Sequence, residues 1–139
     1  MDIRHYGSGN AGATNTYRVF GFKFGPFVII ADLLKGVIPT LLYLFIPYNM
    51  HNELEWTNFM SGLGLGVVVA HVFPIFADFK GGKGVATLLG MVIGTKPVVA
   101  ICCVAVFFFV LFFTRFVSLS SILAGVGFAV FTLFIWYKK

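Results

Sequence analysis

Residues His71–Thr87 read His-Val-Phe-Pro-Ile-Phe-Ala-Asp-Phe-Lys-Gly-Gly-Lys-Gly-Val-Ala-Thr, placing Lys80, Gly81, Gly82, Lys83 and Gly84 between apolar runs. Backbone N–H groups freed by glycine, with ammonium groups beside them, have the makings of a phosphate cradle. A tight turn between two helices would use the same glycines, but it would not need flanking lysines. A second polar segment lies near the N-terminus, where Ser8, Asn10, Thr14, Asn15, Thr16 and Arg18 crowd six hydrogen-bonding side chains into eleven residues. That composition suits orienting a polyol phosphate, and it also suits a polar loop whose Ser, Thr and Asn cap a helix. Asp32 and Lys35 stand three apart inside an apolar run, close enough on a helix to neutralise each other. Ionisable groups at membrane depth default to function, so a structural ion pair and a direct role both stay open. His71 is open in the same way, as a satisfied core histidine or as the one side chain of suitable pKa for proton transfer.

Several chemistries fail on spacing. Gly7-Ser-Gly-Asn-Ala-Gly12 matches Gly-x-Gly-x-x-Gly, and Asp32 follows by 20 residues. No strand precedes it, and Asp32 falls in an apolar helix, so a dinucleotide fold is rejected. Lys83 is followed by Gly84 where a Walker loop requires Ser or Thr. His71 and Asp78 are seven apart, not in the His-x-x-x-x-Asp spacing of glycerolipid acyltransferases that use soluble donors. Three histidines, five acids and the adjacent Cys102 and Cys103 show no metal-ligand spacing, so no metal is expected. The cysteines read as small packing residues. Ser118, Ser120 and Ser121 within Arg115–Ile122 read as a helix N-cap cluster, or as hydroxyls that reach the same anion.

The elements that must position these groups are membrane helices. The chain is 59% hydrophobic and only 11% charged, against about 25% charged in soluble domains, and its mean hydropathy is +0.96. An all-α, polytopic integral membrane helical bundle forming a single domain over 1–139 is expected. Its four main apolar segments are Pro26–Ile46, Thr57–Phe76, Pro97–Phe113 and Leu119–Tyr137, with a shorter apolar piece at Val85–Thr95. After Gly84 the chain makes either one broken crossing or two short helices, and in the second case Gly125 and Gly127 split the last run into two half-helices. Ten Lys/Arg against five Asp/Glu give a net charge of +5. Aromatic residues sit inside the apolar runs instead of alternating with the basic ones, so nucleic acid is discounted and anionic headgroups explain the surplus. The positive-inside rule puts 1–25, 77–84 and Lys138-Lys139 in the cytoplasm and the acidic loop 47–56, with Glu53 and Glu55, outside. Residues Met1–Gly7 carry no apolar h-region, which predicts no signal peptide.

Together these segments resemble the bacterial acyl-phosphate:glycerol-3-phosphate acyltransferases. Asp2–Arg18 is similar to the family's first motif, Asp32-Leu-Leu-Lys-Gly-Val-Ile-Pro39 to its helix motif, His71–Thr87 to its glycine-rich loop, and Arg115–Ile122 to a later serine segment. The resemblance runs in order over nearly the whole chain. It implies transfer of a fatty acyl group from acyl phosphate to the 1-hydroxyl of glycerol 3-phosphate, giving lysophosphatidate for phospholipid biosynthesis. It further implies a multi-pass protein of the bacterial inner membrane, with its site toward the cytoplasm, membrane lipids around it and no cofactor. Motif matching assigns catalytic importance to Ser8 and Arg18, and the glycerol-phosphate loop to Gly81, Gly82, Lys83 and Gly84. Asn10, Asn15 and His71 join the expected catalytic set, and Lys80 and Ser121 the substrate-binding one. The family's leading transmembrane helix and its His/Asn-containing closing motif lie outside 1–139, so an incomplete chain is expected. An organophosphate transporter or a non-catalytic membrane subunit are the other readings; transporters usually carry paired repeats, and none is found here.

Overall fold

The computed structural model describes residues 2–45 and 53–137, so Ile46, residues 47–52 of the acidic loop and Lys138-Lys139 lie outside the described residues. Every regular element among the described residues is helical. In chain order these are α1 (Ala13–Phe20), α2 (Gly25–Leu41), α3 (Glu53–Val72), α4 (Val85–Thr95), α5 (Pro97–Thr114) and α6 (Val117–Tyr137), with 3-10 turns at Ile3–His5, Leu42–Phe45 and Ile75–Ala77. Three helical stretches, Leu54–Ala77, Pro97–Thr114 and Val117–Ile135, are long and apolar enough to cross a membrane, and Val85–Thr95 is a shorter apolar helix. The first expected crossing is shorter than its apolar run. Pro39 removes a helical N–H near the end of α2, and the chain tightens into the 3-10 turn at Leu42.

Two compact units form, Met1–Thr95 and Lys96–Lys139. In the first, α2 packs against α1, α3 and α4. The α2–α4 contact is a backbone approach made possible by missing side chains. A Cβ on Gly36 would overlap the Thr87 carbonyl and stand 2.8 Å from Met91 N. A Cβ on Gly90 would overlap the Leu33 carbonyl, and one on Gly94 the Thr40 hydroxyl. Lipid tails offer helices no hydrophobic drive to associate, so packing at this range is what joins them. Met91 fills the next layer, buried, with its side chain over Gly64 of α3.

The helices end for local reasons. Pro74 closes the α3 region, and Asp78 and Phe79 follow at φ 53° and 58°, two left-handed residues that turn the chain back. Phe79 N donates to the Pro74 carbonyl at 3.0 Å, and Gly81 N to the Val72 carbonyl at 3.2 Å. In the second unit α5 begins at Pro97 after a non-helical Lys96 and ends on Arg115 at φ 57°, whose N–H bonds Leu111 O at 2.9 Å. Cys103 is buried there. The break at Gly125 and Gly127, expected only if two short helices follow Gly84, does not occur: both glycines lie within the continuous α6. A helix among lipid tails has no water to satisfy freed backbone groups, so it keeps its hydrogen bonds through glycines that would weaken it in water.

A methyl group separates the two kinds of glycine. Gly36→Ala should cost about 1–3 kcal/mol by overpacking and lower the thermal midpoint in detergent. Gly125→Ala, where a Cβ meets nothing within 4 Å, should leave that midpoint unchanged or raise it. Equal shifts for the two variants would contradict the α2–α4 seam.

Candidate functional site

The N-terminal polar segment is a loop only as far as Gly12; from Ala13 it is helix α1. Asn15 organises what precedes it. Its side chain is buried, its Oδ1 accepts from Ser8 N at 2.8 Å, and its Nδ2 donates to the Tyr6 carbonyl at 2.9 Å and the Ile3 carbonyl at 3.3 Å. Every polar atom of this amide therefore holds loop backbone. Asn10 Oδ1 accepts from Gly12 N at 2.8 Å, a local turn ahead of the helix. Ser8 stays exposed above this scaffold, and Arg18 is exposed one turn along α1 from Asn15.

Arg4, one of the basic residues within 1–25, ties this segment to the glycine-rich turn. Arg4 Nη1 donates to the Ala77 carbonyl at 2.9 Å. Its guanidinium is aimed by Asp2, with Nε 2.9 Å from Oδ2 and Nη2 2.7 Å from the same oxygen. Hydrogen bonds from the Arg4 side chain, then from its backbone N–H, hold the Asp2 carboxyl down to about 2. The two basic segments expected on one membrane side thus meet at one end of the first unit.

Between them lies a cavity of about 880 Å³ whose wall includes Asp2, Arg4, Thr16, Asp32, Lys35, His71, Lys80, Gly81 and Gly82. Asp32 is nearly fully buried; its Oδ1 lies 3.0 Å from Lys35 Nζ and 3.7 Å from His71 Nδ1. The other edge of the imidazole leans on the turn, since a Cβ on Gly82 would overlap His71 Nε2. A smaller hollow of about 400 Å³ is lined by Arg4, His5, Gly9, Asp78 and Lys80.

The turn itself divides in two. Gly81 N–H is already bonded to Val72 O, so it is not a ligand donor in this arrangement. Among the described residues, the N–H groups of Gly82, Lys83 and Gly84 have no such partner. Gly84, at φ +72°, gives its carbonyl to Leu88 N at 2.8 Å and so caps α4, whose first N–H groups are free as well. This run of unpaired donors at a helix start, beside the exposed Lys83, is an anion-binding arrangement. Among the described residues no group of three or more His, Cys, Asp or Glu is placed to hold a metal.

A family model for glycerol-3-phosphate acyltransferase matches residues 1–138. The chain belongs to the glycerol-3-phosphate acyltransferase family. It is 47% identical over 133 residues to the glycerol-3-phosphate acyltransferase of Macrococcus caseolyticus (strain JCSC5402), covering 96% of this chain and 64% of the relative. With that of Bacillus subtilis (strain 168) it shares 45% over 135 residues, covering 97% and 66%. Among solved structures it is similar to PlsY (YgiH), an integral membrane glycerol 3-phosphate acyltransferase, in its glycerol 3-phosphate form. The TM-score is 0.83 at 39% identity, covering 97% of this chain and 64% of that one. The lysophosphatidic acid form of PlsY matches at a TM-score of 0.78, covering 92% and 62%. The chain thus spans just under two thirds of the length of these relatives.

Within the family's expected site, His71, Lys80, Gly81 and Gly82 line the larger cavity, whereas Ser8, Asn10, Asn15, Arg18, Lys83 and Gly84 are not in its wall. Ser121 lies on α6, where its hydroxyl donates to Val117 O at 2.8 Å. That bond within its own helix is what the N-cap reading of the serine cluster did not anticipate. Ser120 does the same to Phe116 O at 2.8 Å and is fully buried. Thr16, one of the six polar residues singled out above, lines the cavity, and the sequence reading gave no site role to Asp2 or Arg4, which line it too. An acid and a base two apart at Asp2 and Arg4 were a visible signal for their pairing, but nothing local pointed to Ala77.

Because the Asp2 carboxyl is held below its ordinary 3.8, the order it contributes is complete above about pH 4 and lost as pH falls through about 2. Arg4→Ala should raise its midpoint toward 3.8, read by carbon-13 NMR titration of the Asp2 carboxyl. A midpoint left near 2 would remove Arg4 as the cause.

Proposed function

We propose that residues 1–139 belong to one membrane-embedded acyltransferase domain that moves a fatty acyl group from acyl phosphate to the 1-hydroxyl of glycerol 3-phosphate, giving lysophosphatidate. The observation that carries this reading is the run of unpaired N–H groups from Gly82 into α4 beside Lys83 and a cavity walled by Lys35, His71 and Lys80. The relatives named for this substrate, and the PlsY forms named for glycerol 3-phosphate and lysophosphatidic acid, support it.

An acyl phosphate is a mixed anhydride with a good leaving group, so the protein's main tasks are to hold two anions together and to screen their repulsion. Lys83 and the free N–H groups of the turn bind the glycerol phosphate, lysine acting as a point charge. Arg18 holds the donor phosphate, where a guanidinium can meet two oxygens at once. Ser8 and Asn10 orient the donor, and Asn15 acts by holding the Ser8 backbone. The glycerol hydroxyl attacks the acyl carbon and its carbon–oxygen ester bond forms. The bond from that carbon to the phosphate oxygen breaks and phosphate leaves. A substrate phosphate takes the proton, and His71 helps bind the anion without serving as an obligatory base. The site faces the cytoplasm of a bacterial inner membrane, in keeping with the basic 1–25 and 77–84 segments, and membrane lipids surround the helices.

The full chain in nanodiscs, given palmitoyl phosphate and labelled glycerol 3-phosphate, should form labelled lysophosphatidate. Uptake of the label into sealed proteoliposomes of the same chain without product would favour transport and overturn the reading. Lys83→Ala should raise KM for glycerol 3-phosphate by about tenfold or more, and an unchanged KM would refute its role. His71→Ala should keep a sizeable part of kcat; complete loss of turnover with binding intact would make His71 the base instead.

A further inference from the structure

We propose that Asp32 is a positioning residue for this site: its carboxylate sets the His71 imidazole so that Nε2 faces the Gly81–Gly82 turn and the anion held there. The inference rests on the acyltransferase reading and adds to it a residue that touches no substrate. Asp32 lies midway along α2, 5% exposed, where a carboxylate is costly unless its charge is met. Lys35 meets part of it at 3.0 Å, but the lysine side chain is 55% exposed and can solvate itself without Asp32. His71 is different. Its side chain is 13% exposed, its Nδ1 lies 3.7 Å from the same Oδ1, and it has come from the far end of α3 to reach it.

The two ring nitrogens have unlike surroundings. Nδ1 faces a carboxylate, which favours a proton on that nitrogen, and Nε2 faces the turn at Gly82. Gly82 leaves room for this, because any side chain there would collide with Nε2. Asp32, Lys35, His71 and Gly82 all wall the same cavity. An ion pair that served only to hold α2 would require neither the imidazole nor the glycine opposite it. A carboxylate that fixes one edge of a ring and thereby aims the other is a recurrent way of orienting histidine at a site.

The test is a double-mutant cycle on the full chain in nanodiscs, with kcat and KM for glycerol 3-phosphate measured for Asp32→Asn, His71→Gln and the pair. Each single change should raise KM by about tenfold with kcat within about threefold, and the double variant should be no worse than the worse single. Additive losses, near a hundredfold together, would show that Asp32 does not act through His71. A second measurement needs no variant: nitrogen-15 NMR of labelled histidine in the wild-type chain should find Nδ1 of His71 protonated. An unprotonated Nδ1 would overturn the orientation directly. If the wild-type chain makes no lysophosphatidate, the acyltransferase reading fails, and the nitrogen-15 result still decides whether Asp32 orients the ring.

Discussion

The arrangement depends on how closely two helices can approach in a medium that does not push them together. Gly36 and Gly90 let α2 and α4 meet at backbone distance, and dispersion at that range replaces the solvent-driven association of soluble helices. The chemistry sits on these same helices. Asp32 and Lys35 are carried by α2, and the unpaired donors of the turn lead straight into α4. A separation larger by one methyl group would move the carboxylate away from the turn that it serves through His71. Packing and site geometry are therefore one constraint.

Around that seam the first unit is held by polar contacts at its loop end. Asn15 gathers the backbone of Ile3, Tyr6 and Ser8, and Arg4 reaches across to Ala77. These bonds act on carbonyl and amide groups more than on side chains, so they set where the loops run while leaving Ser8, Arg18 and Lys83 exposed. The groups that shape these loops are therefore not the side chains left exposed.

Much of this was legible in residue order, for reasons that can be stated. Long apolar runs bounded by Pro97 and Arg115 mark α5 almost to the residue, because hydrocarbon thickness and helical rise fix the length required. The glycine–lysine turn stands out through composition alone, because Lys80–Gly84 interrupts long apolar runs. Contacts between distant segments were not. Asp32 and His71 lie on different helices, and Arg4 and Ala77 are 73 residues apart, so neither pairing leaves a local signature. The spacing of Gly36 with Thr40, and of Gly90 with Gly94, stands in the sequence, yet a single chain does not say which faces meet. Gly125 and Gly127 misled in the opposite direction: rules learned in water overstate how readily glycine breaks a helix among lipid tails. Ala13–Phe20 was hidden because its polar residues read equally well as a loop.

Asp78 and Phe79 occupy the left-handed region one after the other, and neither is glycine. Such a pair sharply limits the amino-acid alphabet that the turn tolerates. Glycine or asparagine fits both positions with little strain, whereas valine, isoleucine or threonine would crowd the backbone at each. The chain's path back toward Val72 thus narrows the substitutions open to two residues that stand outside both Gly81–Gly84 and the wall of the larger cavity.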